Sequence, residues 1–190
     1  LSFIFLRRLL MSDPLKLKQY IRTVNDFPID GIAFRDITSL IETPVAFVKT
    51  CDELTRISES FDATSIASIE SRGFIFAGSI AKDLSLPFIL ARKPGKLPNE
   101  TFIKDFDLEY GSTSIEIQKN TVVNETDRVV VVDDLVATGG TAIACAELLT
   151  ENFNLKKQNI LILAVIDLPD LGGSKLIADQ GYKIETLVSY

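Results

Sequence analysis

The run Val129–Asp134 (VVVVDD) restricts the fold of this chain more than any other stretch. Four β-branched residues in succession favour a strand, because their stiff side chains suit a pleated surface. Successive side chains point to opposite faces of a strand, so an unbroken apolar run needs cover on both. The strand predicted over Arg128–Asp133 runs into the short turn Ala137–Thr141, and a helix follows from about Gly140 to Glu151. A doubly covered strand leading into a helix is the repeating unit of a parallel α/β sheet.

The rest of the chain repeats the alternation. Strands are predicted at about Thr64–Ile69, Pro87–Ala91, Thr113–Gln118, Ile160–Asp167 and Lys183–Val188, with a helix over about Phe74–Leu84. Thr43-Pro44 opens an earlier helix, whose core stripe is Phe47, Val48, Cys51 and Leu54. Asp13-Pro14 caps and opens a first helix carrying Leu17, Tyr20, Ile21 and Val24 on one face. Phe27–Thr38 is turn-rich yet aromatic, and about Lys93–Ser112 reads as a long polar loop. No repeat or linker divides the 190 residues, so residues 11–190 are expected to form a single α/β domain with a mostly parallel sheet flanked by helices.

Composition removes several kinds of chemistry. The chain has no histidine, which excludes Ser-His-Asp and Cys-His nucleophile pairs and histidine-based zinc sites. Its net charge of −6 argues against nucleic acid as a partner, because no basic excess displaces counterions from phosphates. Cys51 and Cys145 lie in apolar helical surroundings without metal-ligand spacing and are expected to be reduced core thiols. Leu1–Leu10 is apolar but too short to span a bilayer. Met11, the sole methionine, directly precedes the helix start, so residues 1–10 are expected to be an upstream extension. With no longer apolar run, the expected setting is the cytoplasm, without a membrane partner.

The turn after the valine run is where chemistry is expected. In sheets of this kind, ligands bind beyond the carboxyl ends of the strands. Ala137-Thr138-Gly139-Gly140-Thr141 offers two hydroxyls, two glycines and the amides of a helix start, a cradle for a phosphate monoester. Asp133 and Asp134 repel phosphate but accept hydrogen bonds from sugar hydroxyls, or hold Mg²⁺ through water. Phosphate beside diol is the layout of a ribose 5-phosphate. The other reading is an ordinary acidic turn between strand and helix. Neither G-x-x-x-x-G-K-[ST] nor G-x-G-x-x-G with a downstream acid occurs, which sets aside nucleotide-triphosphate and dinucleotide folds of those types.

Asp133–Thr141 resembles the phosphoribosyl-pyrophosphate (PRPP) binding motif of the type I phosphoribosyltransferases. The wider set, Asp26–Thr38, Glu70–Phe76, Arg92–Pro98, Glu109-Tyr110-Gly111 and Glu116–Lys119 in that order, resembles the adenine-specific branch of that family. The likeness extends from about Gln19 to the C-terminus. It implies that adenine and PRPP give AMP and pyrophosphate, with Mg²⁺, in a homodimer. It also implies a small N-terminal base-binding hood and a flexible lid loop. By the same resemblance, Phe34 stacks on adenine while the backbone of Ala33 and Arg35 reads its edge. The turn Ser71-Arg72-Gly73, with a non-proline cis peptide, meets pyrophosphate, together with Arg92, Lys93 and Lys96. Glu109 assists proton movement at the adenine imidazole edge, and Asp133 is the residue nearest Mg²⁺.

These roles agree with elementary electrostatics. Breaking the bond to pyrophosphate leaves positive charge on the ribose and negative charge on the leaving group, which nearby cations stabilise. A lid excludes water from the cationic sugar. The chain departs from the family pattern at Ser68, where glycine is usual, and at Ala77, which precedes Gly78 where glycine commonly follows the phenylalanine. Ala137 and Phe34-Arg35-Asp36 favour adenine over the 6-oxopurines, whose enzymes carry an acid before the threonine. A PRPP-binding gene regulator is the remaining alternative, and this acidic chain has no spare length for a nucleic-acid-binding domain.

Overall fold

The computed structural model describes residues 13–108 and 111–190. Residues 1–10, Met11, Glu109 and Tyr110, on which several expectations rest, lie outside the described residues. The centre is a five-stranded, wholly parallel sheet formed by β3 (Ser65–Ile69), β4 (Phe88–Ala91), β7 (Val129–Val136), β8 (Ile160–Asp167) and β9 (Lys183–Ser189). Their spatial order is β4-β3-β7-β8-β9, so the order reverses between β3 and β7. The crevice outside the carboxyl ends at such a reversal is the usual ligand position.

The valine run divides as its alternation requires. Val129 and Val131 enter one core with Ala142, Cys145 and Leu149 of α4 (Gly140–Phe153), and with Ile177 of α5 (Gly173–Asp179). Val130 and Val132 enter the opposite core with Leu54 of α2 (Pro44–Ser60), and with Phe76 and Ile80 of α3 (Gly73–Leu84). Cys51 and Cys145 are free and buried, as expected of core thiols. Burial pushes the Cys145 thiol up to about 12. Along α2 the expected core stripe holds at Cys51 and Leu54, whereas Val48 is 56% exposed and Ala46 and Ile57 are buried instead.

Two segments differ from the sequence reading. Asp13 does cap a turn, since its carboxylate accepts the amides of Leu17 and Lys18. The helix nevertheless lasts only through a 3₁₀ turn, Lys18–Tyr20, and the chain then becomes β1 (Arg22–Asn25). The hydroxyl of Ser39 donates to the Tyr20 carbonyl and accepts the Arg22 amide, taking over the groups a continuing helix would use. β1 pairs with β2 (Ala33–Asp36) in an antiparallel ribbon, and α1 (Thr38–Ile41) follows.

The second difference is the expected lid loop. Thr101–Leu108 is β5, which pairs antiparallel with β6 (Gly111–Gln118). Phe102, Lys104 and Phe106 alternate toward the domain. Phe102 and Phe106 pack against the core, and Lys104 forms ion pairs of 3.0 and 2.7 Å with Glu147 and Glu151 of α4. A charged residue between two phenylalanines disguised the period-2 pattern as a polar loop.

Candidate active site

β7 carries the candidate residues to the sheet's carboxyl edge. It remains paired with β8 through Val136, past its expected end at Asp133, so Asp134 as well as Asp133 lies within the strand. Asp134 is buried, and its carboxylate forms an ion pair with Nε of Arg72 at 2.6 Å. Asp133 is partly exposed as a residue, but its carboxyl is desolvated. Burial first, and the Asp134 charge second, hold it well above the usual carboxylate range, while Arg72 opposes the shift.

Gly73 explains how Arg72 reaches that position. A Cβ at Gly73 would stand 2.8 Å from the Val132 carbonyl oxygen and 3.1 Å from Cα of Asp133. Only glycine lets the start of α3 lie directly on the β7 backbone. The Ser68 hydroxyl, present where the family pattern has glycine, donates to the Val132 carbonyl at 2.7 Å. The peptide bond between Glu70 and Ser71 is cis.

The turn after β7 is set backbone to backbone against α5. Gly139 has φ of +84°, and the Gly173 amide donates to the Ala137 carbonyl at 3.0 Å. A Cβ on Gly173 would fall 2.6 Å from the Gly139 nitrogen, so both glycines are required for this approach. No side-chain hydrogen bond caps the start of α4, so the amides of its first turn, beside Thr138, Gly140 and Thr141, lack intrahelical partners. That is the geometry of an anion cradle.

A second group of cations meets the same edge. Nε of Arg92 donates to Glu70 at 3.0 Å, and the Lys93 amide donates to the same carboxylate oxygen at 3.2 Å. The Arg92 bond, assisted by the Lys93 amide, lowers the Glu70 carboxyl below its usual range. Lys93 and Lys96 are exposed. Sequence reading placed Arg72, Arg92, Lys93 and Lys96 near one another and quoted Glu70 within the Glu70–Phe76 motif, but gave it no role. The acid's role as bridge between the 71–73 turn and the Arg92 segment depends on β3 and β4 being neighbours, which no local motif states.

The ribbon stands on the same side of the sheet. Phe34 is half-buried, with Phe27 edge-on to it at 5.1 Å between ring centroids. The Arg35 guanidinium lies 4.1 Å from the ring centroid of Tyr190, whose amide donates to the Asp167 carbonyl at the end of β8. The C-terminal residue thereby ties the Ala33-Phe34-Arg35 segment to the carboxyl edge of the sheet. Tyr190 was not among the expected residues. A lone aromatic carries no local signal for such a contact.

The elements that converge here match a known pattern. The profile of the phosphoribosyl transferase domain matches residues 46–170. The adenine phosphoribosyltransferase of Pelagibacter ubique is 44% identical over 176 residues, covering 93% of this chain and 98% of the relative. The chain belongs to the adenine phosphoribosyltransferase family. Within this family, the crystal structure from Thermoanaerobacter pseudethanolicus superposes with a TM-score of 0.83 at 40% identity, covering 92% of this chain and 98% of that one. The APRTase of Giardia lamblia complexed with 9-deazaadenine gives 0.85 at 34% identity, covering 92% and 96%.

Proposed function

We propose that the protein converts adenine and PRPP to AMP and pyrophosphate, a purine-salvage reaction. The observation that carries this reading is the uncapped α4 start beside Asp133, with Arg72 alongside at the sheet's reversal point. Ala137–Thr141 would hold the 5′-phosphate through backbone amides and hydroxyls, and Asp133 would accept hydrogen bonds from the ribose diol. Arg72, with Ser71, Arg92, Lys93 and Lys96, would face the departing pyrophosphate. Phe34 would cover the adenine ring, with the Ala33 and Arg35 backbone at its edge. The family's relatives in Pelagibacter and Thermoanaerobacter support the choice of base.

The donor set suits Mg²⁺ carried by the substrate. Among the described residues, no group of three or more acidic, Cys or His side chains could by itself hold an ion. Asp133, beside the proposed cradle, would be the residue nearest the ion and would act on it through water. The ion's chemistry would be to neutralise charge on the leaving group. A homodimer is proposed as the assembly. α2 exposes Val45 and Val48, and α3 exposes Ile75, aliphatic surface that a second copy would cover. Among the described residues no helix is long and apolar enough to cross a membrane, and the proposed setting is the cytoplasm.

Incubation with PRPP, Mg²⁺ and each purine base separately tests the activity. Adenine should give AMP, with hypoxanthine and guanine at least about a hundredfold poorer, because a reversed hydrogen-bonding edge leaves buried groups unpaired. Comparable turnover of guanine would assign a different base, and PRPP binding without turnover would indicate a regulator. Glu109 is proposed to assist the proton at the adenine imidazole edge. Glu109→Gln should then lower kcat by about 10²–10⁴ with little change in PRPP affinity. A kcat within about threefold of the parent in steady-state kinetics would remove Glu109 from the mechanism.

A further inference from the structure

The opposite edge of the sheet holds a second concentration of positive charge. A cleft of about 410 Å³ opens between the end of α2 and the starts of β7, β8 and β9. Its volume falls within the range of small-molecule sites. Arg56, Arg128 and Lys183 line it, together with Ser60 and the edge of Phe61. Glu185 is the acid on its wall. Three cations thus converge on one cleft of a chain whose net charge is −6.

Two of the cations, Arg128 and Lys183, are placed by uncharged groups. Nε of Arg128 donates to the Phe61 carbonyl at 2.8 Å, and its guanidinium lies 4.3 Å from the Phe61 ring centroid. The Arg128 amide is fixed by the Thr64 hydroxyl. The Lys183 ammonium stands 5.1 Å from the same ring. Neither Arg128 nor Lys183 has a carboxylate ion-pair partner among the described residues, whereas Arg56 is paired with Glu53. Phe61 is only 7% exposed and is covered by the two cations, so it offers no open face for a planar base. The features that remain are a preset guanidinium fork, an ammonium group and a hydroxyl, the donor set of a phosphate site.

We propose that this cleft binds an oligophosphate anion, as a second phosphate site separate from the catalytic one. β7 runs from the cleft toward the opposite edge, and at the usual rise per strand residue Arg128 and Asp133 are roughly 17 Å apart. An anion here would therefore act on the enzyme through the sheet and α2 rather than by competing for PRPP. The inference does not depend on the proposed activity.

Calorimetric titration of sodium tripolyphosphate into the full chain at low ionic strength tests it, alone and with saturating PRPP. The expected result is a binding event that PRPP leaves in place and that Lys183→Gln weakens at least about tenfold. Lys183 is exposed and outside the proposed catalytic machinery, so this variant should fold and retain its kcat. Arg128→Gln should weaken binding further, with a thermal melt as control because Arg128 also secures the Phe61 carbonyl. A parallel titration with ATP separates the sources. Equal affinity supports recognition of the phosphate chain alone, and tighter ATP binding supports a nucleotide occupant. The absence of a PRPP-resistant event, or Lys183→Gln within twofold of the parent, overturns the proposal.

Discussion

Asp134 places its carboxylate on Arg72, whereas Asp133 keeps a desolvated carboxyl with the Asp134 charge beside it. The two should answer differently to the same substitution. Asp134→Asn leaves Arg72 without its counter-charge and should cost about 1–2 kcal/mol of stability along with activity. Asp133→Asn should weaken PRPP use without destabilising the free protein. The sign follows from the pKa. The folded value of Asp133 is raised above its ordinary value near about 3.9, so the folded state binds the extra proton. Stability of the parent from this group is therefore greatest at low pH and falls as pH rises from about 4 through the raised value. Thermal melts of parent and Asp133→Asn should separate toward neutral pH, with the variant higher. A variant as unstable as Asp134→Asn would mean that Asp133 holds the fold rather than the ligand.

Among the elements, the β5–β6 hairpin has the clearest anchor. Glu116 is 3% exposed, and its carboxylate accepts the amides of Lys96 and Leu97 and the hydroxyl of Thr101. Its backbone also pairs with Arg92 on both sides. This one buried acid thus folds the 92–101 segment against the hairpin and sets where Lys93 and Lys96 emerge. Glu116→Ala leaves those donors unmet and should cost about 1–3 kcal/mol. It should also raise the PRPP KM, since the same segment carries the cations proposed to meet pyrophosphate. A melt and steady-state kinetics on one sample check both. A stability loss with unchanged PRPP KM would confine Glu116 to the fold. The tetrapeptide Glu116–Lys119 is visible in sequence as a motif. Why its glutamate is there is not, because its three acceptor contacts come from residues 15 to 20 positions away.

At the scale of the molecule, the proposed phosphate cradle depends on α5, an element that sequence reading did not anticipate. Gly173 has an ordinary backbone conformation, yet its Cβ position lies 2.6 Å from the Gly139 nitrogen. Gly173→Ala should therefore displace the cradle by contact alone, raising the PRPP KM about tenfold or more with a smaller change for adenine. Binding of AMP by calorimetry would check the same displacement, and unchanged affinity would show that the cradle tolerates the shift. The sequence by itself determined the doubly covered parallel sheet, the helices after β3 and β7, and the glycine turn at Ala137–Thr141 where the cradle is proposed. Those features follow from residues adjacent in the chain: stiff apolar runs, glycine at a sharp turn, hydroxyls at a helix start. The first segment misled for the same reason, since Leu17, Tyr20, Ile21 and Val24 fit helical spacing until Ser39 takes the Tyr20 carbonyl. Only the tertiary structure decided that Asp134 belongs to Arg72, that Glu70 bridges to Arg92, and that Tyr190 holds Arg35. Each of those contacts joins residues on or just after neighbouring strands, or far apart in the sequence. Strand order and register bring them within bonding distance, and neither is written in any single stretch of residues.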